Sequence, residues 1–187
     1  MKNHKFNTLI ETLSELPTVG KKSASRFAYH LIFKDSFLAL KLAHNIEDAI
    51  NNVKKCGVCQ GISESEICYI CLDSSRDNEK LCIVSSPQDI LIFEENKLYD
   101  GKYFVIEDLE SFDEHKLKNL VLSGVNELIF ALEHSIGNDA LILYIEDKLK
   151  DHNLTFTKLA QGIPSGMSLQ NIDIVSLNKA ILQRTKT

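Results

Sequence analysis

The sequence predicts a multi-part α/β protein. A helical N-terminal region (1–55) comes first, then a four-cysteine module (56–72), an α/β domain with a mostly parallel sheet (79–175) and a C-terminal helix with its tail (176–187). Three observations carry this. Apolar residues recur at helical spacing up to about residue 55. Two C-x2-C pairs follow, eight residues apart. Beyond residue 80, short apolar runs alternate with helical stretches, the rhythm of parallel strands joined by crossovers.

In chain order, Phe6, Leu9, Ile10, Leu13 and Leu16 line one face of a first helix that Pro17 stops. A second helix begins near Lys22, with Ala24, Phe27, Ala28, Leu31 and Ile32 expected as its buried stripe. A third is expected over 36–55, carrying Leu38, Leu42, Ile46, Ala49, Ile50 and Val53. The cysteine module comes next, then a polar link over 73–78. Strands are expected at 81–84, 103–106, 127–132 and 154–159, with helices at 87–95, 114–121 and 139–150 between them. Ser86-Pro87-Gln88-Asp89 opens the first of these helices, Ser86 as N-cap and Pro87 at the first helical position. Nearly continuous apolar strands predict a sheet covered on both faces. A last helix is expected over 176–183.

Cys56-Gly57-Val58-Cys59 and Cys68-Tyr69-Ile70-Cys71 can together supply four thiolates to one ion. A CxxC turn brings two sulfurs within reach of a metal, and a second turn completes a tetrahedral shell with no position left for water. That pattern predicts one structural zinc per chain. Gly57 is expected to give the first turn a tight backbone whose N–H groups face sulfur. Two disulfides or a redox CxxC pair are the competing readings, and disulfides need an oxidising compartment. The opening MKNHKFNTLIETL shows no apolar secretion signal, so reduced cysteines and a cytoplasmic location are expected. Cys82, between Leu81 and Ile83, is read as a small core residue.

Composition is ordinary for a globular chain: 44% hydrophobic and 25% charged, with a net charge of −5. No apolar run approaches the ~20 residues that a membrane span requires. Charge is unevenly spread. Residues 1–34 carry six Lys and Arg against Glu11 and Glu15, a local +4 that leaves −9 for the remainder. Within that basic end, Leu16-Pro17-Thr18-Val19-Gly20-Lys21-Lys22-Ser23-Ala24-Ser25-Arg26 joins the first two helices. A tight turn feeding a helix leaves its first amides without internal partners, and with the positive end of the dipole they seat phosphate. Gly20 is expected to admit an oxygen close to the backbone, while Lys21, Lys22 and Arg26 add charge. This is the pattern of a helix-hairpin-helix that grips nucleic-acid backbone without reading sequence. Thr18 departs from it, standing where the motif has glycine. A packing hairpin with solvated lysines is the competing reading.

Taken together, LPTVGKKSASR, the C-x2-C-x8-C-x2-C module, Leu81-Cys82-Ile83-Val84 with Ser86-Pro87-Gln88-Asp89-Ile90, and Leu159-Ala160-Gln161-Gly162-Ile163-Pro164-Ser165-Gly166 with Asp173-Ile174-Val175-Ser176-Leu177 resemble the bacterial RecR recombination mediators. The match runs in order over nearly the whole chain. The resemblance implies a Toprim domain after the zinc module and an adaptor rather than an enzyme. It also implies a ring-shaped tetramer (or dimer) that binds DNA through the hairpin. Such a mediator works with RecO and often RecF, to load RecA on single strands covered by SSB. The family's basic hairpin positions fall on Lys22 and Arg26.

Departures from that family bear on chemistry. Toprim enzymes place a glutamate after the first strand and a DxD pair after a later one, to hold Mg²⁺. Here Ser85 follows Val84, and the later pair is Glu133 and Ser135. That loss counts against the alternative, a Toprim-type Mg²⁺-dependent nuclease or primase-like enzyme. Gly137-Asn138-Asp139 and Ile106-Glu107-Asp108 also differ from the family, in the domain that meets RecO. An acidic cluster at Glu107, Asp108 and Glu110 reads as a solvated loop or protein contact rather than a metal site. Glu133-His134-Ser135 reads as a polar loop rather than a nucleophile–base pair. Tyr69 reads as packing for the cysteine module. A zinc-containing interaction module without a DNA role remains a third reading.

Overall fold

A computed structural model describes residues 4–110, 112–159 and 174. They fall into two compact units that meet in sequence between Val53 and Lys54. The expected helix over 176–183 and the segment 160–173 lie outside the described residues.

The first unit is helical: α1 (His4–Ser14), α2 (Lys21–Phe33) and α3 (Ser36–Asn52). Asp35 caps α3, its carboxylate accepting from the Leu38 amide at 2.8 Å. The apolar stripe expected on α2 is only partly buried. Ala24 and Ala28 are fully enclosed, and small side chains there let a neighbouring helix approach closely. Phe27 and Ile32 stay about half exposed, and neither α1 nor α3 buries a residue. The third helix also ends earlier than expected, at Asn52. Lys54–Lys55 instead form β1, antiparallel to β2 (Ile62–Ser63).

The second unit begins with that ribbon and with α4 (Tyr69–Leu72), which together carry the cysteines. It continues as β3 (Asp77–Val84), α5 (Pro87–Glu95), β4 (Gly101–Val105), α6 (Glu114–Leu122), β5 (Glu127–Ala131), α7 (Ile136–Leu149) and β6 (Thr155–Lys158). The sheet order is β4-β3-β5-β6 and all three pairings are parallel, as the alternation required. β3 starts inside the expected polar link, at Asp77, and a register shift separates Asp77 from Leu81 against β4. Alternate β3 residues face opposite ways. Leu81 and Ile83 join Phe104, Leu128, Phe130 and the inner sides of α6 and α7. Cys82 and Val84 join Tyr103, Val105, Ile90 of α5, and Cys56, Cys59, Cys68 and Ile70 of the cysteine module. The cysteine module therefore fills part of the layer that a helix would otherwise supply.

Ser86 and Asp89 form the full capping box at the start of α5. Gly101 opens β4 where only glycine fits. A Cβ there would overlap the Tyr99 phenol and lie 2.8 Å from the Lys80 carbonyl.

Candidate zinc centre and nucleic-acid interface

The four cysteines converge. Their sulfurs all lie within 4.8 Å of one another, with Cys56–Cys71 at 3.9 Å and Cys59–Cys68 at 3.6 Å. A tetrahedron with Zn–S bonds of about 2.3 Å sets sulfurs about 3.8 Å apart, so the donor set fits zinc. A disulfide would need about 2.05 Å, and all five cysteines are free. Backbone amides face the sulfurs, as in a metal knuckle: Gly61 N–H to Cys59 Sγ at 3.4 Å and Cys68 N–H to Cys56 Sγ at 3.3 Å. Gly57 does not take the role expected of it, since its amide donates to the Glu66 carbonyl at 2.9 Å. The left-handed residue of the first knuckle is Gln60, at φ +64°. The hydrogen bond between Cys59 and Cys68 raises the Cys59 thiol and lowers that of Cys68, so the two do not ionise alike. Four thiolates together need the ion.

Cys82 stays apart from this cluster, buried in β3 with its thiol pushed up to about 12, first by desolvation. It is an inert core residue. Tyr69, expected as packing, is instead 68% exposed on the outside of the second knuckle.

Arg76 and Lys55 are among the cations that tie the module to the sheet. Arg76, inside the expected polar link, makes a bidentate pair with Glu94 at 2.8 and 2.7 Å and also donates to the Gly101 and Tyr99 carbonyls. Tyr103 Oη donates to the same Glu94 carboxylate at 2.6 Å. Burial works to raise Glu94, but these hydrogen bonds and the guanidinium charge outweigh it and hold the carboxyl below its ordinary range. Lys55 pairs with Glu107 at 2.8 Å. Sequence reading missed Arg76, because its partners lie 18 to 25 residues away.

Residues expected at an altered Toprim site hold the fold together. Ser85 Oγ donates to Asp89 at 3.2 Å, and Ser135 caps α7 by accepting from the Asn138 amide at 3.1 Å. The Asn138 side chain donates to the Glu133 carbonyl, and His134 stands 3.6 Å from Asp139. A capping Ser135 is not a nucleophile beside a base. Among the described residues, the four cysteines are the one cluster arranged to hold a metal.

In the helical unit, the loop between α1 and α2 turns on Thr18 at φ +67°. This is the left-handed conformation that the glycine of the usual motif would accept without strain. Val19 N–H donates to the Leu16 carbonyl at 3.1 Å, and Gly20 is the N-cap of α2 in extended conformation. Gly20 has nothing within 4 Å of where a Cβ would stand, so the space in front of the helix start is open. Lys21, Lys22 and Arg26 are all exposed.

Comparison with known proteins agrees with the order of these parts. Residues 6–50 match the family model of the RecR helix-hairpin-helix, and residues 53–73 match that of the RecR zinc finger domain with four cysteine ligands. The chain is 54% identical over 183 residues to "Recombination protein RecR" of Campylobacter jejuni (serotype O:6), covering 97% of this chain and 96% of the relative. It is 49% identical over the same shares to the protein of that name from Nitratiruptor. Identity to the Helicobacter pylori (strain Shi470) protein is 48% over 185 residues, 98% of this chain and 95% of the relative. A zinc knuckle built on a parallel sheet, a helical hairpin ahead of it and end-to-end similarity to these relatives lead to one conclusion: the chain belongs to the RecR family of recombination proteins.

Proposed function

We propose that this chain is a non-enzymatic, DNA-binding recombination mediator. It acts with RecO, in a family that often also uses RecF, to load RecA on single strands covered by SSB. The observation that carries the DNA contact is the open start of α2. Gly20 leaves room for an oxygen at the unpartnered amides, with the exposed Lys21, Lys22 and Arg26 around it. Such a site grips phosphate in any sequence context.

Few phosphates are met by one hairpin, so self-association supplies the affinity by raising effective concentration. The helical unit supports a ring-shaped tetramer or dimer through its unusually apolar surface: Phe37, Leu40 and Ile50 are each more than 70% exposed. The adaptor reading draws support from Ser85, Glu107 and Ser135. Ser85 hydrogen-bonds Asp89, Glu107 pairs with Lys55 and Ser135 caps α7, at the sheet edge where a Toprim enzyme would hold Mg²⁺. We assign RecO binding to this Toprim-type domain, residues 79–175, and a bracing role to zinc. Reduced thiolates on that zinc fit a cytoplasmic location.

The test is a salt titration of single-stranded DNA binding by Lys22→Ala/Arg26→Ala. Losing two phosphate contacts is expected to flatten the slope of log K against log[salt] by roughly 1.4 for single strands. Melting temperature should stay unchanged, because both side chains are exposed. Binding and slope equal to wild type at low salt would remove this surface from the proposal.

A further inference from the structure

We propose that Lys102 is a positioning residue for the zinc centre: it clasps the open end of α4 to strand β4 and so keeps Cys71 on the metal. This goes beyond the DNA reading and does not depend on it.

α4 is a single turn, too short to hold its own end. Its internal hydrogen bonds use the carbonyls of Cys68 (from Leu72 N–H, 3.1 Å) and Tyr69 (from Asp73 N–H, 3.0 Å). The following carbonyls have no helical donor left. Lys102 Nζ meets them, donating to Ile70 O at 2.8 Å, Cys71 O at 3.2 Å and Asp73 O at 2.7 Å. An ammonium has three N–H groups and no acceptor, so three converging carbonyls saturate it.

The clasp matters most for Cys71. Amides of Gly61 and Cys68 face the sulfurs of Cys59 and Cys56. Cys71 is the least enclosed of the four ligands and is steadied through its own carbonyl instead. Lys102 reaches it from β4, one residue after Gly101, whose carbonyl accepts from Arg76 Nε at 2.8 Å. The two cations thus run in opposite directions: Lys102 from strand to knuckle, Arg76 from the knuckle's exit back to the strand. Outer contacts of this kind tune metal retention because they fix the backbone that aims the ligand.

The test follows zinc leaving the full-length, zinc-loaded protein under native conditions, read as absorbance of the chelator 4-(2-pyridylazo)resorcinol. Lys102→Met is expected to release zinc about tenfold faster than wild type, the low end for outer-contact losses. In its cobalt-substituted form the thiolate–cobalt bands should shift as the tetrahedron loosens. Leu149→Ala is the control. It opens a cavity in the core on the other sheet face and lowers melting temperature without touching the knuckle. Its zinc should leave at the wild-type rate. If Lys102→Met does not accumulate, Lys102→Gln, which keeps an amide donor but not the charge, is expected to release zinc several-fold faster than wild type. A wild-type release rate in the Lys102 variant overturns the proposal, and so does equal acceleration in Leu149→Ala.

Discussion

Thr18 holds a backbone angle, φ +67°, that a β-branched residue adopts only under strain. The conformation costs an L-residue roughly 1–2 kcal/mol, most of which glycine avoids. Thr18→Gly is therefore expected to raise the stability of the helical unit by about 1 kcal/mol, after glycine's own entropic cost is offset, as read by a denaturant midpoint at unchanged slope. A lowered midpoint would mean that the Thr side chain contributes more than its backbone costs. At this scale the sequence was legible wherever chemistry follows spacing. Four cysteines in two CxxC pairs have one economical use, and Thr18 stood out because the motif demands a conformation that threonine resists. Gly57 was legible only as a turn. Which amides reach the sulfurs depends on how the two knuckles meet, and Gly61 and Cys68 answer that only in three dimensions.

Among the elements, strand alternation gave the parallel sheet, and Ser86 with Asp89 gave the start of α5 to the residue. Ends set by pairing rather than periodicity were not legible. α3 stops at Asn52 because Lys54 and Lys55 find partners in Ile62 and Ser63. β3 reaches back to Asp77 because Gly101 stands beside it. Arg76 looked like a solvated link residue for the same reason: nothing nearby in sequence reveals Glu94, Tyr99 or Gly101. The Arg76–Glu94 pair is only 12% and 19% exposed, so removing one partner leaves the other's charge poorly solvated. Glu94→Ala is expected to cost about 2–3 kcal/mol in chemical denaturation. The depressed Glu94 carboxyl also fixes a sign. Its contribution is complete above the unfolded-state value near 4.5 and is lost as pH falls through the lower folded-state value. Wild type should therefore lose stability more steeply below about pH 4.5 than Glu94→Ala does. Parallel acid profiles would remove the pair from the account.

For the whole molecule, the largest single term is the metal. Structural zinc contributes about 10–16 kcal/mol of apparent binding energy in isolated finger peptides, against a net stability of about 5–15 kcal/mol for a typical domain. Cys56, Cys59 and Cys68 are part of the core that covers one face of the sheet. Prolonged chelation is therefore expected to abolish the cooperative melt of the α/β unit, and stoichiometric zinc to restore it. A melt indifferent to chelation would show that the sheet stands without the ion. Apolar side chains on α2 and α3 were legible as helix faces but not as exposed ones. Periodicity reports that a face is apolar and is silent on what covers it.

Val105 N–H, on the outward side of β4 at one edge of the sheet, donates to the Cys59 carbonyl at 2.9 Å. The first knuckle thus doubles as a guard rail along a border that would otherwise recruit strands from other molecules. In a cell starved of metal, the first symptom would then be clumping of this protein.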